Sequence, residues 1–169
     1  MTRGTPRKYF LVPLVLLFYA SGAPACSFAP MTEAFVVVEG EGMPPGKPDF
    51  VVKEIKRGHD DGDRGSCSDA GILVLKRETM PANPTGYIFE IVEGEFEDAI
   101  FDPSPIKAVE RNEKEGLYNF VWLDGASDWQ QPIDITVKIV AVSKTGQKSE
   151  PQMLKVTHPG IERPWWQVW

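Results

Sequence analysis

Few residues in this chain of 169 have types and spacings suited to chemistry. The densest group lies in Gly58-His59-Asp60-Asp61-Gly62-Asp63-Arg64-Gly65. Asp60, Asp61 and Asp63 place three carboxylates within four positions, and hard oxygen ligands of this kind suit Ca²⁺ in an extracellular loop. The EF-hand spacing is absent, since no Glu stands at the last position of such a loop. Asp side chains also cap turns, so a solvated loop accounts for the same residues. The three are weak metal candidates, and no cofactor is expected. The two histidines, His59 and His158, fall in neither a nucleophile elbow nor a metal-binding helix motif. No catalytic residue is assigned, and the chain is not expected to be an enzyme.

The cysteines take their meaning from the compartment. Arg3, Arg7 and Lys8 make a basic start, and Phe10 to Tyr19 is a short, nearly continuous apolar run. Ala23-Pro24-Ala25-Cys26 then offers small residues at a cleavage site. This pattern predicts a secretory signal peptide over residues 1–25, too short in its apolar part to span a bilayer. No transmembrane segment is expected after cleavage, and the location is periplasmic or extracellular. Cys26 would then open the mature chain, with Cys67 as the only other cysteine. In an oxidising compartment the two invite one disulfide, closing a loop of about 40 residues worth about 4 kcal/mol in the chain-entropy model. A cysteine at the first mature position is also the lipid-attachment site of bacterial lipoproteins. The alternative is therefore an outer-membrane lipoprotein anchored through Cys26. The stretch resembles a lipobox only in outline, since Ala23 stands where Leu is usual.

The last chemical feature is Pro164-Trp165-Trp166-Gln167-Val168-Trp169. Trp165, Trp166 and Trp169 are costly to leave in water, since each ring buries about 150–250 Å². Either the tail folds back over its own domain or it docks on a partner, a sugar or a membrane interface. Trp165, Trp166 and Trp169 are the candidate partner-binding residues.

These groups need a scaffold, and the composition limits what it is. Cleavage removes three basic residues and no acidic one, which moves the formal charge from −6 to −9. An acidic chain without a basic cluster excludes nucleic acid and anionic lipid as natural partners. Gly and Pro number 15 each, spaced between short β-branched and aromatic runs, so turns and strands are expected rather than helices. A first short strand is predicted at Phe35–Val38. Pro44-Pro45-Gly46 and Pro48 mark a boundary. In Phe50–Lys56, Phe50 and Val52 take one face, and Val51, Lys53 and Ile55 the other. Gly71–Leu75 reads as a strand buried on both faces. Tyr87, Phe89 and Ile91 share a face, as do Tyr118, Phe120 and Trp122. Ala99–Phe101 is read as an edge strand and Lys107–Glu115 as a loop. Ile133 to Val142 alternates most clearly, Lys144–Gln147 turns, and Leu154 and Val156 face inward from the last strand.

Two stretches resemble a fibronectin type III domain. Thr85-Gly86-Tyr87-Ile88-Phe89-Glu90-Ile91 is similar to that family's third strand. Ile135 to Val142, followed by Gly146 and Ser149-Glu150-Pro151, is similar to its sixth strand and hairpin. The family usually has Trp in its second strand, where Leu75 or a neighbour stands here. It usually has Tyr early in its sixth strand, where Ile133 and Ile135 stand. The fold class is thus all-β, an antiparallel Ig-like, fibronectin type III-like sandwich of about seven strands. The expected organisation is signal peptide 1–25, an N-terminal extension with a short strand over 26–42, a β-sandwich over 43–158 and a Trp-rich tail over 159–169. The resemblance implies a scaffold and no chemistry. The expected role is an exported, non-enzymatic binding or structural module, contacting an unknown protein or envelope component. A ligand- or Ca²⁺-binding module using Asp60–Asp63 is the alternative.

Overall fold

Period-two alternation builds most of this molecule, and the positions where the period slips decide its shape. The computed structural model describes residues 31–63, 66–96, 99–125 and 130–161. Their strands, in order, are β1 (Thr32–Ala34), β2 (Phe50–Lys56), β3 (Ala70–Arg77), β4 (Thr85–Glu93), β5 (Ile106–Ala108), β6 (Leu117–Leu123), β7 (Ile133–Ser143) and β8 (Gln152–His158). One short helix, α1 (Glu110–Glu113), lies between β5 and β6. A five-stranded antiparallel sheet, β1-β5-β4-β7-β8, faces a three-stranded one, β2-β3-β6. This is the expected all-β sandwich. In the lettering of Ig-like architectures, β2, β3 and β6 stand as A, B and E, and β4, β7 and β8 as C, F and G, with β5 outside C.

Inward-facing rings fill the space between the sheets. Phe50 sits edge-on to Tyr87, Phe89 and Tyr118, with centroids 5.0, 5.5 and 5.3 Å away. Phe89 and Phe120 approach to 5.0 Å. Edge-to-face geometry of this kind adds to the gain from burial. Ile133, Ile135, Val137, Ile139 and Ala141 line the opposite wall, all buried as their alternation predicts. β3 is the central strand of its sheet, and Gly71–Leu75 is nearly all buried, in keeping with its unbroken apolar run.

Four expectations are corrected. In β2 the register shifts between Val52 and Glu54, so a bulge inserts one residue. Ile55 therefore packs on the core together with Val52 instead of facing away from it. Ala99–Phe101 is not a strand; Ile100 and Phe101 reach the core from a loop. The strand beside β4 is β5, and α1 follows it, within the stretch read as loop. The first strand is Thr32–Ala34, not Phe35–Val38, because Ala34 pairs with Ile106 while Phe35 leaves the ladder to cover the sheet's outer face.

That departure makes the N-terminal segment a strap across the sandwich. The Phe35 N–H donates to the Pro105 carbonyl, then Val38 N–H to Lys144 and Gly40 N–H to Thr145 at the β7–β8 turn. Gly86 makes room beneath it: a Cβ there would stand 2.4 Å from Phe35 Cδ1. We expect Gly86→Ala to cost about 1–3 kcal/mol by overpacking, and Phe35→Ala about 3–5 kcal/mol by lost burial. Combining them is expected to cost clearly less than their sum, since both act on one contact. Urea unfolding of the four proteins measures this, and strict additivity would show that Phe35 does not rest on Gly86.

Candidate functional site

The aspartates of the 60–63 loop lie at one end of the sandwich, where β2, β6 and β8 finish and β7 begins. The Gly62 N–H donates to Asp60 Oδ1 at 2.8 Å, and the Asp63 N–H to Asp61 Oδ1 at 2.9 Å. These are Asx turns, in which the carboxylates hold their own loop. The Asp63 N–H, followed by the Ser66 hydroxyl, keeps the Asp61 carboxyl below its usual range. Among the described residues, no three of His, Cys, Asp and Glu come together as a metal-binding group. Cys67, just past this loop, is not a free thiol. Cys26, Trp165, Trp166 and Trp169 lie outside the described residues.

Next to the loop is a group that sequence reasoning missed. The Arg57 guanidinium meets Asp124 side-on, Nε to Oδ2 and Nη2 to Oδ1, both at 2.8 Å. Their side chains are 6% and 5% exposed. Asp124 also accepts from the Gly58 N–H at 2.7 Å and from Trp122 Nε1 at 3.1 Å. Arg57 Nη1 donates to the Gln131 carbonyl at 2.8 Å. Burial opposes the charge on Asp124, but the hydrogen bonds from Arg57, Gly58 and Trp122 outweigh it and lower its pKa. His158 stands close by, its Nδ1 accepting the Gly160 N–H at 3.0 Å. Burial and then the Arg57 charge lower the His158 pKa, with Asp124 partly opposing. Two parallel hydrogen bonds, with both Asp124 oxygens shared by further donors, make this pair a structural lock.

The opposite end carries a cleft of about 360 Å³. Its walls are the segment 43–49 leading into β2 and the β3–β4 loop, and Tyr87 and Ser143 also line it. Met43, Pro44, Pro48, Met80, Pro84 and Tyr87 give it an apolar surface. Asp49 ties the two walls together: its carbonyl accepts the Glu78 N–H at 2.8 Å and its carboxylate the Thr79 hydroxyl at 3.1 Å. Met43 and Met80 are 86% and 59% exposed. Sequence reading took Pro44 to Pro48 as a boundary and did not connect it with Pro81 and Pro84. Nothing in their residue types says that they meet.

Beside the cleft lies a second arginine. The Arg77 side chain is 1% exposed, with its guanidinium carbon 5.8 Å from the centre of the Tyr87 ring. Nη2 donates to Glu113 Oε1 at 3.0 Å and to Met80 Sδ at 2.8 Å. Nε and Nη1 have no acceptor. Burial works against the charge, but Tyr87 and the Glu113 carboxylate outweigh it and raise the Arg77 pKa. Burial also pushes the Tyr118 phenol well above its ordinary value.

Two measurements test the lock. Arg57→Met strands a buried carboxylate and is expected to cost about 3–5 kcal/mol, whereas adding Asp124→Asn to it is expected to recover part of that loss. Equal unfolding free energies for the single and double variants would sink this account. The second concerns pH. A His whose pKa is lowered on folding contributes its full stability above the unfolded value of about 6.5, and loses it as pH falls below that. Asp124 contributes above about 3.9 and loses its share as pH drops further, through its lower folded value. Urea midpoints should therefore decline in two stages on acidification. His158→Gln should reduce the first stage and spare the second; an unchanged first stage would acquit His158.

No family model, curated protein or solved structure matches the chain. The geometry of the sandwich and of its cleft therefore carries the functional reading.

Proposed function

We propose that this protein is an exported, non-enzymatic binding module of fibronectin type III-like type, which holds a protein partner at the cell envelope in the Met43–Tyr87 cleft. The observation that carries this reading is the cleft itself. It lies where the β3–β4 loop meets the end of β7 at Ser143, the end from which the B–C and F–G loops of Ig-like variable domains bind. Prolines fix the backbone of both walls, so little ordering entropy is lost when a partner docks. Met43 and Met80 supply flexible, polarisable contacts at the rim. The basic and apolar N-terminal pattern supports export, and with it a Cys26–Cys67 disulfide. The Trp-rich tail is a second contact candidate.

The test is direct. A partner is cross-linked in envelope fractions, purified and titrated against wild type, Met43→Glu and a chain lacking residues 164–169. Met43 is exposed, so Met43→Glu is expected to shift stability by no more than about 0.5 kcal/mol. It is expected to weaken binding at least about tenfold, for a charge buried against an apolar rim. A partner that binds Met43→Glu as tightly as wild type, but loses the tail-deleted chain, moves the docking site to the tail.

A further inference from the structure

The two buried arginines of this sandwich are not equally served. Arg57 has a side-on carboxylate, while Arg77 has one carboxylate oxygen of Glu113, that residue's backbone carbonyl at 3.4 Å and a thioether, all on Nη2. A buried guanidinium is expensive unless its donors are met, and carboxylates meet the Nε edge in a two-point fork. The Nε and Nη1 donors of Arg77 have no acceptor, and its side chain is essentially fully buried. Two residues join this group to the cleft. Tyr87 contributes to the cleft lining and lies beneath the guanidinium. Met80 lines the cleft and places its sulfur on Nη2.

A thioether is a weak acceptor. Met80 is also largely exposed and unbranched, so turning its side chain out of the way disturbs little. We infer that the cleft recognises a carboxylate on its protein partner, which displaces the Met80 sulfur from Nη2 and forks onto Nη2 and the unpaired Nε of Arg77. This rests on the docking reading above and names the chemistry that the cleft selects. The apolar walls hold the flanking residue, and Lys47 on the rim adds a cationic contribution. The acidic net charge of the chain opposes an anion only at a distance. At physiological salt, charges beyond about 8 Å are largely screened, whereas a buried guanidinium is not.

Three probe peptides test the inference: acetyl-Pro-Leu with a free carboxylate, its carboxamide, and acetyl-Pro-Glu-Leu carboxamide. The first offers a terminal carboxylate and the third a side-chain one. The readouts are the amide resonances of residues 79–85 and the Arg77 Nε–H resonance. At least one carboxylate peptide is expected to move the Nε–H signal saturably and to bind about tenfold or more tighter than the carboxamide, as a charged hydrogen-bond pair predicts. Whichever carboxylate does so identifies the source. Met80→Ala is expected to tighten carboxylate binding and leave the carboxamide unchanged. Arg77→Lys, which lacks the fork, is expected to remove the preference. If Arg77→Lys fails to fold, the Met80→Ala comparison decides. Equal binding of carboxylate and carboxamide, or an unmoved Nε–H signal with all three peptides, overturns the inference. Neither result touches the docking reading, which stands or falls on the Met43→Glu titration.

Discussion

The Arg57–Asp124 pair is the contact on which the rest of this sandwich depends. It forms where four strand ends converge: Arg57 follows β2, Asp124 follows β6, the Gln131 carbonyl precedes β7, and His158 closes β8. These belong to both sheets, so the pair ties the sheets together by directed bonds where the apolar core runs out. Coulomb attraction alone would not justify burying both charges, because desolvation consumes most of it. What makes the burial tolerable is that both Asp124 oxygens are doubly used, by Arg57 together with Gly58 or Trp122. Gly58 is needed there for space: a Cβ would fall 2.5 Å from the Asp69 carbonyl oxygen and 2.6 Å from that of Gly125.

The other end of β2 is held differently. The Gln152 side chain accepts from the Phe50 N–H at 2.8 Å and donates to the Phe50 carbonyl at 2.7 Å. One amide side chain thus replaces a strand partner across the β2–β8 seam, where backbone pairing stops. Between these two clamps lies the bulge at Val52/Glu54. It lets β2 present Phe50, Val52 and Ile55 to the core although simple alternation would turn Ile55 outward. The seam is closed at both ends and bent in the middle. The end near Phe50 is closed by the neutral Gln152 amide, and the buried charge of that end is the Arg77 guanidinium with its Glu113 partner.

Much of the fold was legible in the sequence because burial and period two coincide. Tyr118, Phe120 and Trp122 on β6, and the alternating apolar set of β7, occupy the faces that their spacing assigns. Legibility ends where one residue breaks the period or where the partner is distant in sequence. The bulge in β2 leaves no mark in residue type. Phe35 reads as the start of a strand, and only the open space above Gly86 makes it a cover instead. The site was less legible than the fold. The aspartates of the 60–63 loop advertise ligand chemistry, yet two of their carboxylates cap neighbouring N–H groups. Residue type alone did not mark Arg57 and Arg77, because their burial is decided by Asp124 and Glu113, residues far along the chain. The cleft was hidden because prolines signal where regular structure stops and say nothing of which breaks meet.

The strap and the cleft are consequences of one another. Residues 41–48 cross from one sheet to the other, and such a proline-rich link has no ladder of its own to fix it. It is fixed at its two ends. Before it, the Gly40 N–H bonds the Thr145 carbonyl, and Gln147 Nε2 donates to the Gly40 carbonyl. After it, the Asp49 carbonyl receives the Glu78 N–H and Phe50 enters the core. Prolines restrict the few dihedrals left between those anchors. The N-terminal segment therefore does more than precede the sandwich. By laying Phe35 on Gly86 it sets where Gly40 sits, and through Gly40 it sets the wall that faces Met80. The backbone hydrogen bonds of Phe35, Val38 and Gly40 lead from the cover on Gly86 to the start of the cleft wall, although the sequence alone places a boundary between them.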